Sequence, residues 1–510
     1  MLLTTTAAAA LLSATLPAPE AKAAIAPVPV IQVQSSPQPA RPLSAPSLSV
    51  PIQSAPPLSG QSPAQSAAPS AGAQSIVFKP INYEDDWSRF SDPALRTTPW
   101  AKLKYIPIGE KGWLSIGGEG RWRAEYRGNE RFGRGLQDDD GDLQQRLRLW
   151  GDLHPTQNVR LFVEVQDGRT HGLDSGEPVI EESRADLHQA FIETQTKVAD
   201  GALKVRVGRQ EFGVGLFRLF EPREGTNART AFDMARVIYD RPTGWSGGLF
   251  AGYALRESKA SFDDATNYDY RLYGATASRR LGSGATAPKL ELLYVNTDRL
   301  GLAFDTGRAG RDDRDTFSVR LDGRRMQWDY DVEGVIQRGD FRGMDVEAWY
   351  VSGTVGRTFD HPWSPRVALR VDAASGDKDR NDNTLNTYNQ LYVPPISLRT
   401  DLGISNLVSI QPQLTFRPLP RTTVGVLTAG LWRQSKQDGV YLLPGIPLRS
   451  GVEGQSAYVG WRYAGFATYA VNPFVTVTGV VNYTVSGDFL KESGVAEDQS
   501  YAGLILGVKF

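Results

Sequence analysis

Val159-Arg-Leu-Phe-Val-Glu-Val-Gln166 is a run with two unlike faces. Val159, Leu161, Val163 and Val165 fall on one side of an extended chain. Arg160, Phe162, Glu164 and Gln166 fall on the other. Successive side chains of a strand point to opposite faces, so this spacing predicts a β-strand with one apolar wall and one polar wall. The same alternation recurs from Trp113 to the last residue. Leu114, Ile116, Trp122, Ala124 and Tyr126 oppose Ser115, Glu119, Arg121, Arg123, Glu125 and Arg127. Trp328, Tyr330, Val332 and Ile336 oppose Gln327, Asp329, Asp331, Glu333 and Gln337. Val367, Leu369, Val371 and Ala373 oppose Arg366, Arg370 and Asp372. The repeats run about ten residues, the length of a tilted strand crossing a bilayer.

A soluble sandwich or propeller also alternates, with its apolar face turned to a core. Three features favour a membrane barrel instead. Short connections (His154 to Gln157, Arg417 to Arg421, Val471 to Pro473) alternate with long ones (Gly128 to Asp142, Glu211 to Met234, Gly376 to Asn406, Gln434 to Ser456). Such barrels have short periplasmic turns and long outer loops. Trp113, Tyr126, Trp150, Trp245, Tyr268, Trp328, Trp349, Trp432 and Trp461 stand near strand ends, as interfacial girdles do. The chain closes on an alternating strand, Tyr501 to Phe510, whose terminal aromatic residue suits recognition by barrel assembly machinery. The predicted fold is therefore all-β: a transmembrane antiparallel up-and-down β-barrel of about 18 strands. Its weakest expected strands lie at Asp186–Gln195 and Ala235–Arg241.

Composition narrows the function classes. The net charge of −1 gives no drive toward nucleic acid, and the absence of cysteine removes thiolate chemistry and disulfide frameworks. A mean hydropathy of −0.34 fits a barrel with a polar lumen better than helical spans. Residues 1–23 are expected to be a signal peptide, with Ala7 to Leu16 apolar and a cleavage site at Ala21-Lys22-Ala23. Residues 24–75, rich in Pro, Ser and Ala, cannot bury enough apolar area to order and should form a disordered linker. Residues 76–111 would be a periplasmic segment, and 112–510 the barrel.

On the polar parity arginine predominates: Arg121, Arg123, Arg146, Arg148, Arg160, Arg206, Arg236, Arg320, Arg366, Arg370 and Arg462, joined by Glu164 and Asp372. Facing lipid at the midplane each arginine would cost about 2–4 kcal/mol, so these side chains are expected inside, lining the pore and binding substrate. Guanidinium forks take carboxylates bidentately, and a low-dielectric wall focuses their field onto an anionic solute. The alternative is that they pair with inward acids and brace the interior. The acidic runs at Asp138–Asp142 and Asp377–Asn381 lack calcium-loop spacing, and His154 and His188 read as structural groups. Acidic pairs are too common on the inner parity to mark a glycosidase. No metal, catalytic residue or cofactor is indicated.

Several short stretches together resemble the alginate export family of outer-membrane barrels. They run in order from Asn82-Tyr-Glu-Asp-Asp-Trp87 and Leu103-Lys-Tyr-Ile-Pro107 through Gly117-Gly-Glu-Gly-Arg121, Arg146-Leu-Arg-Leu149 and Asp186-Leu-His-Gln-Ala-Phe191. Val207-Gly-Arg-Gln-Glu211, Asn227-Ala-Arg-Thr-Ala-Phe-Asp233, Ser375-Gly-Asp377, Asp438-Gly-Val-Tyr441 and Ser486-Gly-Asp-Phe-Leu490 follow. The resemblance implies an 18-stranded barrel with an arginine-rich pore that an anionic polysaccharide such as alginate crosses passively, and periplasmic partners that deliver the polymer. Outer-membrane lipid and lipopolysaccharide would surround it. Two other readings stand beside export: a general or anion-selective porin for oligosaccharides or small organic acids, and an outer-membrane enzyme or adhesin.

Overall fold

A computed structural model describes residues 76–134, 139–173, 179–214, 219–284, 286–305, 307–392, 402–443 and 445–510. The expected signal peptide and linker lie outside the described residues. The barrel wall comprises eighteen strands among those described. The first six are β1 (Gly112–Gly128), β2 (Asp139–Thr156), β3 (Val159–His171), β4 (Ser183–Val198), β5 (Gly201–Gln210) and β6 (Phe232–Asp240). Next come β7 (Trp245–Arg256), β8 (Ala265–Arg280), β9 (Lys289–Leu302), β10 (Gly310–Arg325), β11 (Trp328–Phe341) and β12 (Met344–Thr358). The last are β13 (Arg366–Ala374), β14 (Leu407–Phe416), β15 (Thr422–Arg433), β16 (Tyr458–Asn472), β17 (Val475–Ser486) and β18 (Gln499–Lys509). Each pairs antiparallel with its sequence neighbour, and β1 closes on β18 from Glu119↔Lys509 to Gly128↔Ser500. Closure removes sheet edges, so the backbone groups of the wall are satisfied without water.

The alternation decides facing as expected. On β3 Leu161 and Val163 are 37% and 48% exposed on the outer wall, while Phe162 and Glu164 are fully buried. On β13 Val367 and Leu369 face out, and Arg366 faces in. Trp122, Tyr126, Trp245 and Trp328 are exposed on the outer wall, where a girdle belongs. Trp150 departs from that expectation. It shares the inward parity of Arg146 and Arg148 and is buried in the lumen. Gly117 of β1 makes room for it, since a Cβ there would stand 2.4 Å from the indole.

Connections at the end where β1 begins and β18 finishes, here the terminus end, are short, and those at the opposite end are mostly long. One exception is the two-residue turn Arg342-Gly343 between β11 and β12. Both residues have positive φ (57° and 85°), the twist that matches a tight hairpin. The acidic run expected in a loop at Asp138–Asp142 enters β2 at Asp139 instead. Both weak strands are present, as β4 and β6.

Candidate functional site

The pleat and register bring one group of arginines together. Arg121 of β1 lies opposite Arg146 of β2, and Glu119 lies opposite Arg148. Four buried guanidiniums on two neighbouring strands would repel strongly in a low-dielectric interior. Acids from several elements compensate. Glu119 pairs with Arg146 at 2.7 Å and Arg148 at 3.4 Å. Arg148 also reaches Glu164 at 2.5 Å and Glu211 at 2.8 Å. Arg123 meets Glu125 at 2.7 Å and Glu181 at 3.5 Å.

The rest of the compensation comes from the long connection between β5 and β6, whose residues 219–231 fold into the lumen. Arg121 donates to the carbonyls of Glu224 and Thr226, each at 2.6 Å, and Arg123 to that of Gly225 at 2.6 Å. Arg146 holds the Glu224 carboxylate at 2.5 Å. Asn227 pins the same stretch to the wall, its amide donating to the carbonyls of Gln145 and Arg169, both at 2.9 Å. Arg229 spans Glu211 at 2.6 Å and Glu224. Three consecutive carbonyls and one carboxylate are thus gripped by arginines of β1 and β2.

A second connection, between β13 and β14, enters from the same end. Arg314 of β10 donates to the Thr387 carbonyl at 2.9 Å, and Gln337 of β11 exchanges two 2.9 Å hydrogen bonds with Asn389. The two connections join backbone to backbone: Tyr392 N–H donates to Leu219 at 3.0 Å and Glu221 N–H to Tyr392 at 2.8 Å. Asp438 of the β15–β16 connection locks this loop at its base. Its carboxylate accepts from the Thr387 hydroxyl (2.6 Å), the Tyr441 hydroxyl (2.5 Å) and the Asp377 N–H (2.8 Å).

From the terminus end comes a third segment, Pro80 to Tyr83. Ile81 and Tyr83 pack against Trp150, Phe162 and Phe191, and Asn82 between them is buried. Asn82 donates to Glu164 at 2.7 Å, and Arg160 donates to the Tyr83 carbonyl at 2.6 Å while holding Asp152 at 2.7 Å.

The remaining expected residues are inward but held on the wall. Arg206 pairs with Glu193 at 2.5 Å, and Arg236 contacts the Tyr83 hydroxyl at 3.4 Å. Arg320 binds Asp331 at 2.9 Å, and Arg366 binds Asp329 at 2.5 Å. Arg370 meets Asp372 at 2.8 Å, and Asp372 also accepts from the Tyr350 hydroxyl at 2.8 Å. Arg462 is fully buried on β16, far along the chain from the others. Inward facing and pairing with acids therefore hold together for Arg206, Arg320, Arg366 and Arg370.

Glu164, His188 and Glu211 lie within metal-ligand spacing, yet Arg148 already bridges the two carboxylates and His188 contacts Glu211 at 2.9 Å. This is an ion-pair cluster. Burial alone would raise the Glu211 carboxyl, but Arg148 and Arg229 outweigh it and hold it well below the usual range. A lowered folded value means that this stabilisation is complete above pH about 4.5 and is lost as the pH falls further. Glu211→Gln should leave Arg148 and Arg229 short of a counter-charge and lower stability by about 3–5 kcal/mol, read from the unfolding midpoint of the refolded barrel. A midpoint unchanged from wild type would show that the cluster does not brace the lumen.

Glu119, Glu181, Glu211, Glu224, Arg229, Asn82 and Tyr83 were not singled out as site residues from the sequence. Most lie in connections or outside the barrel, where no alternation marks facing, although several fall in the stretches that carry the family resemblance.

A family model described as alginate export matches residues 112–503. No curated protein matches. Solved structures similar in fold include Pseudomonas aeruginosa OpdO, with a TM-score of 0.53 and 13% identity over 80% of this chain and 98% of that one. Pseudomonas aeruginosa OccK2 (OpdF) in complex with glucuronate gives a TM-score of 0.51 and 13% identity over 78% of this chain and 98% of that one.

Proposed function

The chain belongs to the alginate export family of outer-membrane β-barrels, and from that premise we propose that it is a passive, anion-selective channel for an acidic polysaccharide such as alginate. The observation that carries the reading is the grip of Arg121, Arg123 and Arg146 on the carbonyls of residues 224–226 and the Glu224 carboxylate. Those oxygens present what a polyuronate presents: carboxylates and polar oxygens at short, regular spacing. Displacing the loop leaves the same donors facing the passage. A polymer then exchanges one set of charge-assisted hydrogen bonds for another, each weak enough to release. Delivery of the polymer calls for periplasmic export partners at the terminus end, and assembly calls for recognition of the strand ending in Phe510.

A second reading, uptake of small organic acids, is favoured by the backbone bonds that join two connections across the lumen. Such a crossed lumen suits a small solute better than a chain. Planar-bilayer recordings separate the two. The wild type should prefer chloride over potassium in a salt gradient, and oligouronates should block with an affinity that grows with length. Block by monomeric glucuronate equal to that by oligomers would favour small-acid uptake. A preference for potassium would remove both anion readings.

A further inference from the structure

The contacts of Pro80–Tyr83 repeat, group by group, what a sugar acid could make at the same place. The Tyr83 carbonyl takes a guanidinium hydrogen bond from Arg160, and the Pro80 carbonyl takes one from Arg229 at 3.1 Å. The Tyr83 hydroxyl donates to the Glu211 carbonyl at 2.8 Å and accepts from Arg236. The Asn82 amide supplies a donor to Glu164, as a sugar hydroxyl would. The flat face of the phenol lies 4.1 Å from the Arg206 guanidinium, and Phe162 and Phe191 stand edge-on to it. Arg206 Nη1, buried in this socket, has no hydrogen-bond partner and is left for an acceptor.

The segment is anchored on its two sides by contacts outside the socket. Lys509 holds the Lys79 carbonyl at 2.8 Å. Trp87, Phe90 and Trp100 pack together, with Lys104 over the rings of Trp87, Trp100 and Phe510. Residues 80–83 can therefore leave the socket without detaching the segment from the barrel.

We propose that Pro80–Tyr83 is a resident internal ligand filling a uronate subsite at the terminus end of the lumen, formed by Arg160, Glu164, Arg206, Arg236, Phe162 and Phe191. The chemical class, a ring with hydroxyls and a carboxylate, rests on the anionic-cargo reading above. Guanidiniums take the carboxylate, Glu164 takes a hydroxyl, and the aromatic walls take the C–H face of the ring. A substrate arriving from the terminus end competes with the segment for the socket: departure of the segment opens the passage, and a sugar acid seated in its place occludes it.

Asn82→Asp in the full chain tests this with little change of shape, because it sets a carboxylate against Glu164. The variant should raise the open fraction in planar bilayers several-fold. Glucuronate added on the terminus side should block it at roughly a tenth of the wild-type concentration, while acetate, lacking the ring, should not show the gain. Glu164→Gln added to Asn82→Asp should restore closure. A folded, heat-modifiable Asn82→Asp barrel that gates like wild type would overturn the proposal. So would an opened variant in which glucuronate blocks no better than acetate. If Asn82→Asp does not fold, Tyr83→Ala is read by the same two criteria. The chloride-to-potassium preference of the opened variant, from its reversal potential, reports on the anion-channel reading separately: its loss would sink that reading while the gating result still decides whether the segment occupies the socket.

Discussion

A chain carrying arginine at both Val163 and Leu369 is expected not to insert into lipid vesicles. Both side chains are 48% exposed on the outer wall, in mid-strand on β3 and β13. An arginine facing hydrocarbon near the midplane costs about 2–4 kcal/mol. The two strands are far apart in the wall, so the costs should add to about 4–8 kcal/mol. That rivals the whole stability of an ordinary domain. Arg160→Ala makes the opposite comparison on the same strand. It removes an inward guanidinium and its bonds to Asp152 and Tyr83, and should leave a folded barrel with a looser Pro80–Tyr83 segment. Cold and boiled samples run side by side on a gel give the readout: a heat-modifiable band for Arg160→Ala and none for the double arginine variant. Identical behaviour would mean that the outer wall does not face lipid.

The wall was legible because a single physical demand, lipid outside and polar groups inside, writes itself at a period of two. Even β4 and β6, the faintest strands, kept enough of that pattern to be placed. Trp150 stands near a strand end, where a girdle residue is expected, but its parity is inward, and Gly117 opposite it leaves the room that an inward ring needs. The contents of the lumen were far less legible. Arg121 and Thr226 are joined across 105 positions, and the acceptor is a backbone carbonyl, which has no residue signature. Tyr83 looks in sequence like any aromatic residue before a barrel; only the socket of Arg206, Phe162 and Phe191 gives it meaning. Loop and N-terminal contacts of this kind depend on the closed tube existing first, so no local pattern encodes them.

Buried arginine clusters of this density are weak sources of net stability, because desolvation offsets most of the attraction within each pair. Their consequence is conditional: remove one member and its partners are left charged in a dry interior. A surface built that way suits a loop held by many replaceable bonds.

Replacing Arg121 and Arg146 together by methionine should produce the largest functional change. Methionine keeps much of the apolar stem while removing every donor to residues 224–226 from those two positions. Hydrogen bonds to charged groups contribute about 1.5–3 kcal/mol each, so losing several should free the β5–β6 connection from the β1–β2 wall. Conductance should rise as the lumen clears. The charge balance changes at the same time, because two positive charges leave while Glu119 and Glu224 remain beside the passage. Fixed charges act over about 8–10 Å at physiological salt, so ions in the lumen feel the difference. The reversal potential in a potassium chloride gradient should move from the chloride side toward zero or beyond it, and block by oligouronates should weaken at least tenfold. If conductance rose with selectivity unchanged, the two arginines would be fasteners for the loop and not part of the path. If neither quantity moved, Arg123, Asn227 and Arg229 would suffice to hold the loop, and the grip of Arg121 and Arg146 would have no bearing on passage.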